Sequence, residues 1–263
     1  MWDHELAQSV DGLYPVGITF TLDYQRPHFF ALEAAREIAV LTESFGLLVD
    51  DPHSAGVGRD LFDPDAFTRS WNLENRYGEG GVIVWRARGL RPASLPRKRL
   101  ESIWQWNYSL PRLREMTEGT VTLPRILLAR SNGLLVTWAA WGDALPVLLP
   151  RVDQVLLCRR ALLPPQSAGG VRMPDQSLVP WDRVASALPR DRWIAEGPEE
   201  GHFALLGPSP HPAALELFKR IASSRSRVSP YPVNHVLETE LLDEVLGASG
   251  PGRPAVSIAS ARE

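Results

Sequence analysis

Apolar and polar residues alternate most sharply over residues 17–24, GITFTLDY, where Ile18, Phe20 and Leu22 share one parity and Thr19, Thr21 and Asp23 the other. A period of two puts alternate side chains on opposite faces of an extended chain, so the pattern predicts a strand with one buried face. From His28 onward the period lengthens. Ala31, Ala35, Ile38, Leu41 and Phe45 recur at helical spacing, Pro27 stands where a proline opens a helix, and Gly46 occupies the position just past a helix end. Leu47 to Val49 is a short apolar run that reads as a second strand. Strand, helix and strand in that order predict an N-terminal β-α-β unit, ferredoxin-like or similar.

Asp63-Pro64 is a helix-start signal, and Phe67, Trp71 and Leu73 are the expected inward residues of a helix from about Asp65 to Tyr77. Val82 to Arg86 is a compact strand pattern. A proline- and arginine-rich connector, Arg88 to Arg99, then marks the expected boundary between subdomains. The division that follows is an N-terminal α/β subdomain over 1–90, a second α+β subdomain over 91–246, and a flexible tail over 247–263. Leu100 to Glu118 has helical texture, with Pro111 expected to end or kink the helix near Leu110.

The firmest local pattern lies between Leu123 and Arg160. Two apolar runs, Ile126 to Ala129 and Leu134 to Trp138, flank Ser131-Asn132-Gly133, and Asn-Gly tolerates the positive φ angles of a tight hairpin turn. With a third run, Val155 to Cys158, this predicts a small antiparallel sheet at the centre of the second subdomain. Trp138 and Trp141 are the expected contacts to the aromatic segment before it. Beyond it come a proline- and glycine-rich loop over 161–177, a short helix over Trp181 to Leu188 and a strand over His202 to Leu206. A helix over Pro210 to Ser224 has Ala214, Leu217, Phe218 and Ile221 on one face, and a last helix covers Val236 to Leu246. The expected fold class is α+β.

Composition narrows the field only slightly. At 263 residues and 44% hydrophobic the chain has enough apolar side chains for a sizeable core, and a net charge of −3 supplies no global attraction to nucleic acid or anionic membrane. Cys158 is the single cysteine, which excludes an intrachain disulfide and any multi-cysteine metal site. The opening residues MWDHELAQSVDG lack a basic and apolar leader, and no apolar run reaches membrane-spanning length, so a cytoplasmic location is expected. Lys98 and Lys219 are the only lysines beside many arginines, a codon bias of GC-rich bacterial genomes.

Two clusters carry chemistry. Asp50, Asp51, His53 and Asp60 follow a predicted strand end, where oxygen and nitrogen donors suit a divalent metal, although aspartate is also an ordinary turn residue. The second cluster is aromatic and basic: Arg97, Lys98 and Arg99, then Trp104, Trp106 and Tyr108, then Arg112 and Arg114. Tryptophan, tyrosine and arginine are the residues enriched at protein-binding hot spots; the same set can stack bases and hold phosphates, or fill a core. Arg97, Arg99, Trp104, Trp106, Tyr108 and Arg112 are the expected protein-binding residues. His28 and His211 read as surface or capping residues, and Cys158 as a small buried hydrophobe on a strand. There is no phosphate-loop or dinucleotide motif and no G-x-S-x-G elbow. The leading expectation is a non-catalytic protein, without cofactor or metal, that binds another protein and, second, nucleic acid. An immunity-type or antitoxin-like inhibitor, or an accessory subunit of a bacterial complex, fits that description. The rival is a metal-dependent hydrolase or nucleotide-processing enzyme using the Asp50-Asp51-His53 loop with His202 or His235.

Overall fold

The structure is a computed structural model, and it describes residues 14–24, 26–51, 60–77, 93–131, 134–159, 175–195, 201–221 and 230–247. Among these the fold is mixed α+β, with six α-helices and three sheets of five, three and two strands. The chain divides into two compact units, residues 1–24 with 30–75 and residues 25–29 with 76–263. The expected subdomain boundary at residue 90, the strand over 82–86 and the tail lie outside the described residues.

In the first unit the helix expected after Pro27 forms as α1 (Phe29–Phe45), and the Asp63-Pro64 signal opens α2 (Pro64–Tyr77). Asp63 Oδ1 accepts from the backbone N–H groups of Asp65 and Ala66, so the aspartate satisfies two donors that a helix start leaves without partners. Gly46, at φ +61°, closes α1, and the Leu47 N–H donates back to the Thr42 carbonyl, the wide bond of a left-handed helix cap. Ala31, Ala35 and Trp71 are buried as expected, whereas Phe45 and Leu73 are exposed. No ferredoxin-like unit is identified. The alternating segment before α1 is irregular: Gly17 adopts φ +70°, Ile18 is 61% exposed, and no described strand pairs with it. Alternation creates a face, but a strand also needs a neighbour to accept its ladder of hydrogen bonds. Leu47 to Val49 contributes one antiparallel bridge, Val49 to Asp60.

The second unit is built around the hairpin. β2 (Leu127–Ser131) pairs antiparallel with β3 (Leu134–Gly142), and the ladder ends at Ser131 opposite Leu134; the expected turn residues Asn132 and Gly133 themselves lie outside the described residues. The sheet is not purely antiparallel. After β3 the chain turns out through Asp143 and Ala144, forms β4 (Val147–Pro150) in another sheet, and returns as β5 (Gln154–Arg159) parallel to β3, Trp138 facing Gln154 and Gly142 facing Cys158. β6 (Asp175–Pro180) lies antiparallel to β5, and β9 (Pro230–Tyr231) to β2, giving the order β6-β5-β3-β2-β9. β6 falls where a loop was expected. Its sequence, DQSLVP, holds two apolar residues, and its extended form comes from the six-residue pairing with β5.

The second sheet, in the order β4-β8-β7, joins β4 to β8 (His202–Leu205) and β7 (Trp193–Ile194), all antiparallel. All four residues of β4 are buried. Between these strands lie α4 (Trp181–Ala187) and a 3-10 turn over Arg190–Arg192. α5 (Pro212–Arg220) buries Ala214, Leu217 and Phe218, and the Phe218 ring meets Trp141 edge-on at 5.1 Å. Trp141 therefore packs against α5. The third sheet pairs β1 (Ala93–Leu95) in parallel with β10 (Val236–Glu238), which leads into α6 (Thr239–Gly247). A helix from Val236 was expected; three consecutive buried residues there match a strand covered on both faces rather than one helical stripe.

The long helix α3 (Arg97–Met116) runs unbroken through Pro111. An interior proline costs roughly 3 kcal/mol and frees the carbonyl four residues back. Burial of Leu100, Ile103, Trp104, Trp106 and Leu110 outweighs that cost, since each large apolar side chain contributes about 1.5–3 kcal/mol. Asn107 adds a two-way clamp: its side-chain amide donates to the Ile126 carbonyl and accepts from the Ile126 N–H, both at 2.9 Å.

Arg159 is the most heavily committed buried charge. It donates to the carbonyls of Phe218 at 2.8 Å and Ile221 at 2.7 Å and to Ser177 Oγ at 3.0 Å, and it lies 3.6 Å from Asp175. One guanidinium thus caps α5 and ties it to β5 and β6. Arg159→Lys keeps the charge but cannot serve those acceptors with one ammonium, so its urea-unfolding curve should show a loss of about 3 kcal/mol. A wild-type midpoint would mean that the carbonyls find other donors.

Candidate functional site

The aromatic and basic cluster expected to bind protein divides on α3. Trp104 and Trp106 are buried, Trp104 stacked on Phe29 at 6.4 Å and tilted against Tyr108 at 5.3 Å, Trp106 donating its indole N–H to the Pro124 carbonyl at 2.8 Å. Both tryptophans fill the interior. Arg99 donates to Thr137 Oγ1 at 2.9 Å and lies 3.7 Å from Asp153, whose carboxylate accepts from the Thr137 N–H and hydroxyl. Arg97 lies 3.4 Å from Glu101, and its N–H is accepted by Glu240. That leaves Tyr108 and Arg112 as the outward-facing members of the set.

Only part of the aspartate cluster lies among the described residues. Asp60 pairs its backbone with Val49 and caps its own neighbour, accepting from the Leu61 N–H at 2.7 Å; Asp50 is exposed, and His53 lies outside the described residues. Asp51 adds to the upward push on the Tyr24 phenol, which comes first from burial and then from Glu74. Among the described residues no group of three histidine, cysteine or acidic side chains is arranged to hold a metal ion.

His28 departs furthest from expectation. It is fully buried, not on the surface, because it stands at the start of α1 with Glu238 Oε1 2.6 Å from both its backbone nitrogen and its Nδ1. Nε2 comes within 2.5 Å of Glu101 Oε1, an approach not aligned as a hydrogen bond. With both ring nitrogens facing protein carboxylates, neither is presented to a substrate, and the trio ties the segment at residue 28 to α3 and β10 within the second unit. His211 does cap a helix: its Nδ1 accepts from the Ala213 N–H at the start of α5. Cys158 is half-buried on β5 beside the cluster of Ala129, Trp138 and Leu156.

The concave surface of the second unit lies elsewhere. An open groove of about 430 Å³ is lined by Arg151, Trp181, Ala185, Ser186, Arg190, Trp193 and Phe203. Three rings form its floor: Trp193 packs on Phe203 at 5.0 Å and on Trp181 at 6.0 Å, and Trp181 on Phe203 at 5.7 Å. The β7 to β8 pairing sets Trp193 opposite Phe203, and α4 begins at Trp181, whose N–H donates to the Asp153 carbonyl. Gly201, at φ +110°, leaves room for the Trp193 ring: a Cβ there would come within 2.3 Å of the indole. Arg151, Ser186 and Arg190 are exposed on the rim. The described lining residues bring two guanidiniums to three aromatic rings, so they offer apolar contact and positive charge.

Sequence spacing hid this groove because its residues are scattered from 151 to 203 and meet only through the second sheet. The one local hint was the aromatic and arginine content of residues 181–193. Comparison with protein-family models, curated proteins and solved structures yields no match.

On β8, the His202 ring lies tilted against Trp106 at 5.8 Å, and burial pushes its imidazole below the ordinary 6.5. The unfolded chain therefore takes up a proton that the folded state resists. Stability from this residue is complete above the ordinary value and falls as pH drops through it. His202→Gln should flatten that acid-side decline in urea midpoints recorded between about pH 5 and pH 8. An unaltered slope would assign the decline to other groups.

Proposed function

We propose that the protein is a non-catalytic binding protein that engages another protein through the groove between α4 and the β4-β8-β7 sheet. An immunity-type or antitoxin-like inhibitor, or an accessory subunit of a bacterial complex, is the role this reading favours. The observation that carries it is the pairing of a three-ring floor with an arginine rim. Tryptophan and arginine dominate binding energy where rings sit in packed, partly desolvated pockets, and Trp181, Trp193 and Phe203 are arranged in that way. Among the described residues the lining joins two guanidiniums to three rings, the residue types that recognition surfaces favour. Tyr108 and Arg112, together with exposed Met116, form a second stripe on α3 that the same reading assigns to partner contact. The alternative, a metal-dependent hydrolase or nucleotide-processing enzyme, keeps the Asp50-Asp51-His53 loop as its candidate site.

Photo-crosslinking in the native host tests the proposal. With benzoylphenylalanine at Ser186, a dominant adduct to one protein is expected, and with the same label at exposed Glu43 on α1 none. No adduct at Ser186, or the same adducts at both positions, would contradict it.

A further inference from the structure

We infer that the groove's occupant is an acidic peptide segment of the partner, carrying an apolar or aromatic side chain that enters the ring-lined floor. This rests on the reading of the groove as a protein-binding surface and specifies the chemistry of what it takes. The rim supplies Arg151, just past the end of β4, and Arg190 from the 3-10 turn, and the described lining residues include no carboxylate. A guanidinium presents a planar fork of donors that matches a carboxylate with two parallel hydrogen bonds, so two arginines over an apolar floor select acidic groups flanking an apolar anchor.

The surroundings sharpen the choice. Trp193 is half-buried, while Trp181 and Phe203 beneath it are buried, so the floor offers one ring face with a rigid backing. Ala185 and Ser186 on α4 are small and let a peptide backbone approach closely. Nucleic acid would present phosphate after phosphate to a chain whose formal charge is −3, and two lining arginines are few to neutralise them. A peptide needs only local positive charge and gains the rest of its binding from the buried anchor.

Fluorescence anisotropy of the full chain with a labelled hexapeptide of alternating glutamate and phenylalanine tests the inference, with a glutamine-phenylalanine peptide and a labelled single-stranded oligonucleotide as comparators. The acidic peptide should bind, should weaken as salt rises, and should lose about tenfold or more in affinity with Arg190→Glu and with Arg151→Glu. Arg69→Glu, at an exposed position of α2, should bind as the wild type does. Circular dichroism of each variant establishes that it is folded. Equal binding of the glutamine peptide, tighter binding of the oligonucleotide, or no binding of the acidic peptide would each overturn the inference. If the acidic peptide fails while Ser186 still yields its adduct, the charge assignment falls and the protein-binding reading stands. If neither is seen, both fall.

Discussion

The chain leaves the five-stranded sheet at Asp143 and Ala144 and comes back parallel to the strand it left, and the groove side of the molecule follows from that corner. Both residues take left-handed φ angles, 48° and 54°, which residues with a Cβ adopt at a cost. Hydrogen bonds hold them there: the Asp143 N–H donates to the Cys158 carbonyl at 2.8 Å, the Leu145 N–H to Gly142 at 2.9 Å, and the Trp141 indole to Leu145 at 2.8 Å. Two parallel neighbours require a crossover, usually of a dozen residues or more. Here β4 is the return path. Because β4 is occupied in getting back, its edge is free to recruit β8 and then β7, and these carry Phe203 and Trp193 to the groove.

Buried polar groups fix the layers around that corner. Arg159 fastens α5 to β5 and β6. The Thr137 hydroxyl donates to Asp153 and accepts from the Asp153 N–H and from Arg99, which ties α3 to the start of β5. Glu238 of β10 holds His28, within the second unit. In a low-dielectric interior such groups specify position because any other arrangement leaves them unpaired. The same constraint acts on α3: Asn107 and Arg99 lock the helix with Trp104 and Trp106 turned inward.

Local signals read well wherever the local interaction decides the structure. The pairing of the two apolar runs as β2 and β3, the start of α2 at Asp63, the glycine cap of α1 and the apolar face of α5 were all legible in the sequence. Misreadings cluster where distant partners decide. Ile18 and Phe20 alternate but have no strand to pair with among the described residues; Val236 to Glu238 joins a strand rather than a helix because β1 lies beside it. Pro111 is carried through by burial of residues before it, and β6 is extended by β5. His28 looked like a surface cap because neither Glu101 nor Glu238 is near it in the chain. The groove was illegible for the same reason, its rings and arginines coming from β4, α4, the 3-10 turn, β7 and β8.

Fluorine NMR on protein labelled with 5-fluorotryptophan tests most directly whether recognition occurs at the groove. The chain has nine tryptophans, and single replacements assign the Trp193, Trp104 and Trp106 resonances. On titration with the glutamate-phenylalanine peptide, the Trp193 signal should shift and saturate while those of buried Trp104 and Trp106 stay in place. A shift at Trp104 or Trp106 with Trp193 unmoved would contradict the account and return the binding surface to α3.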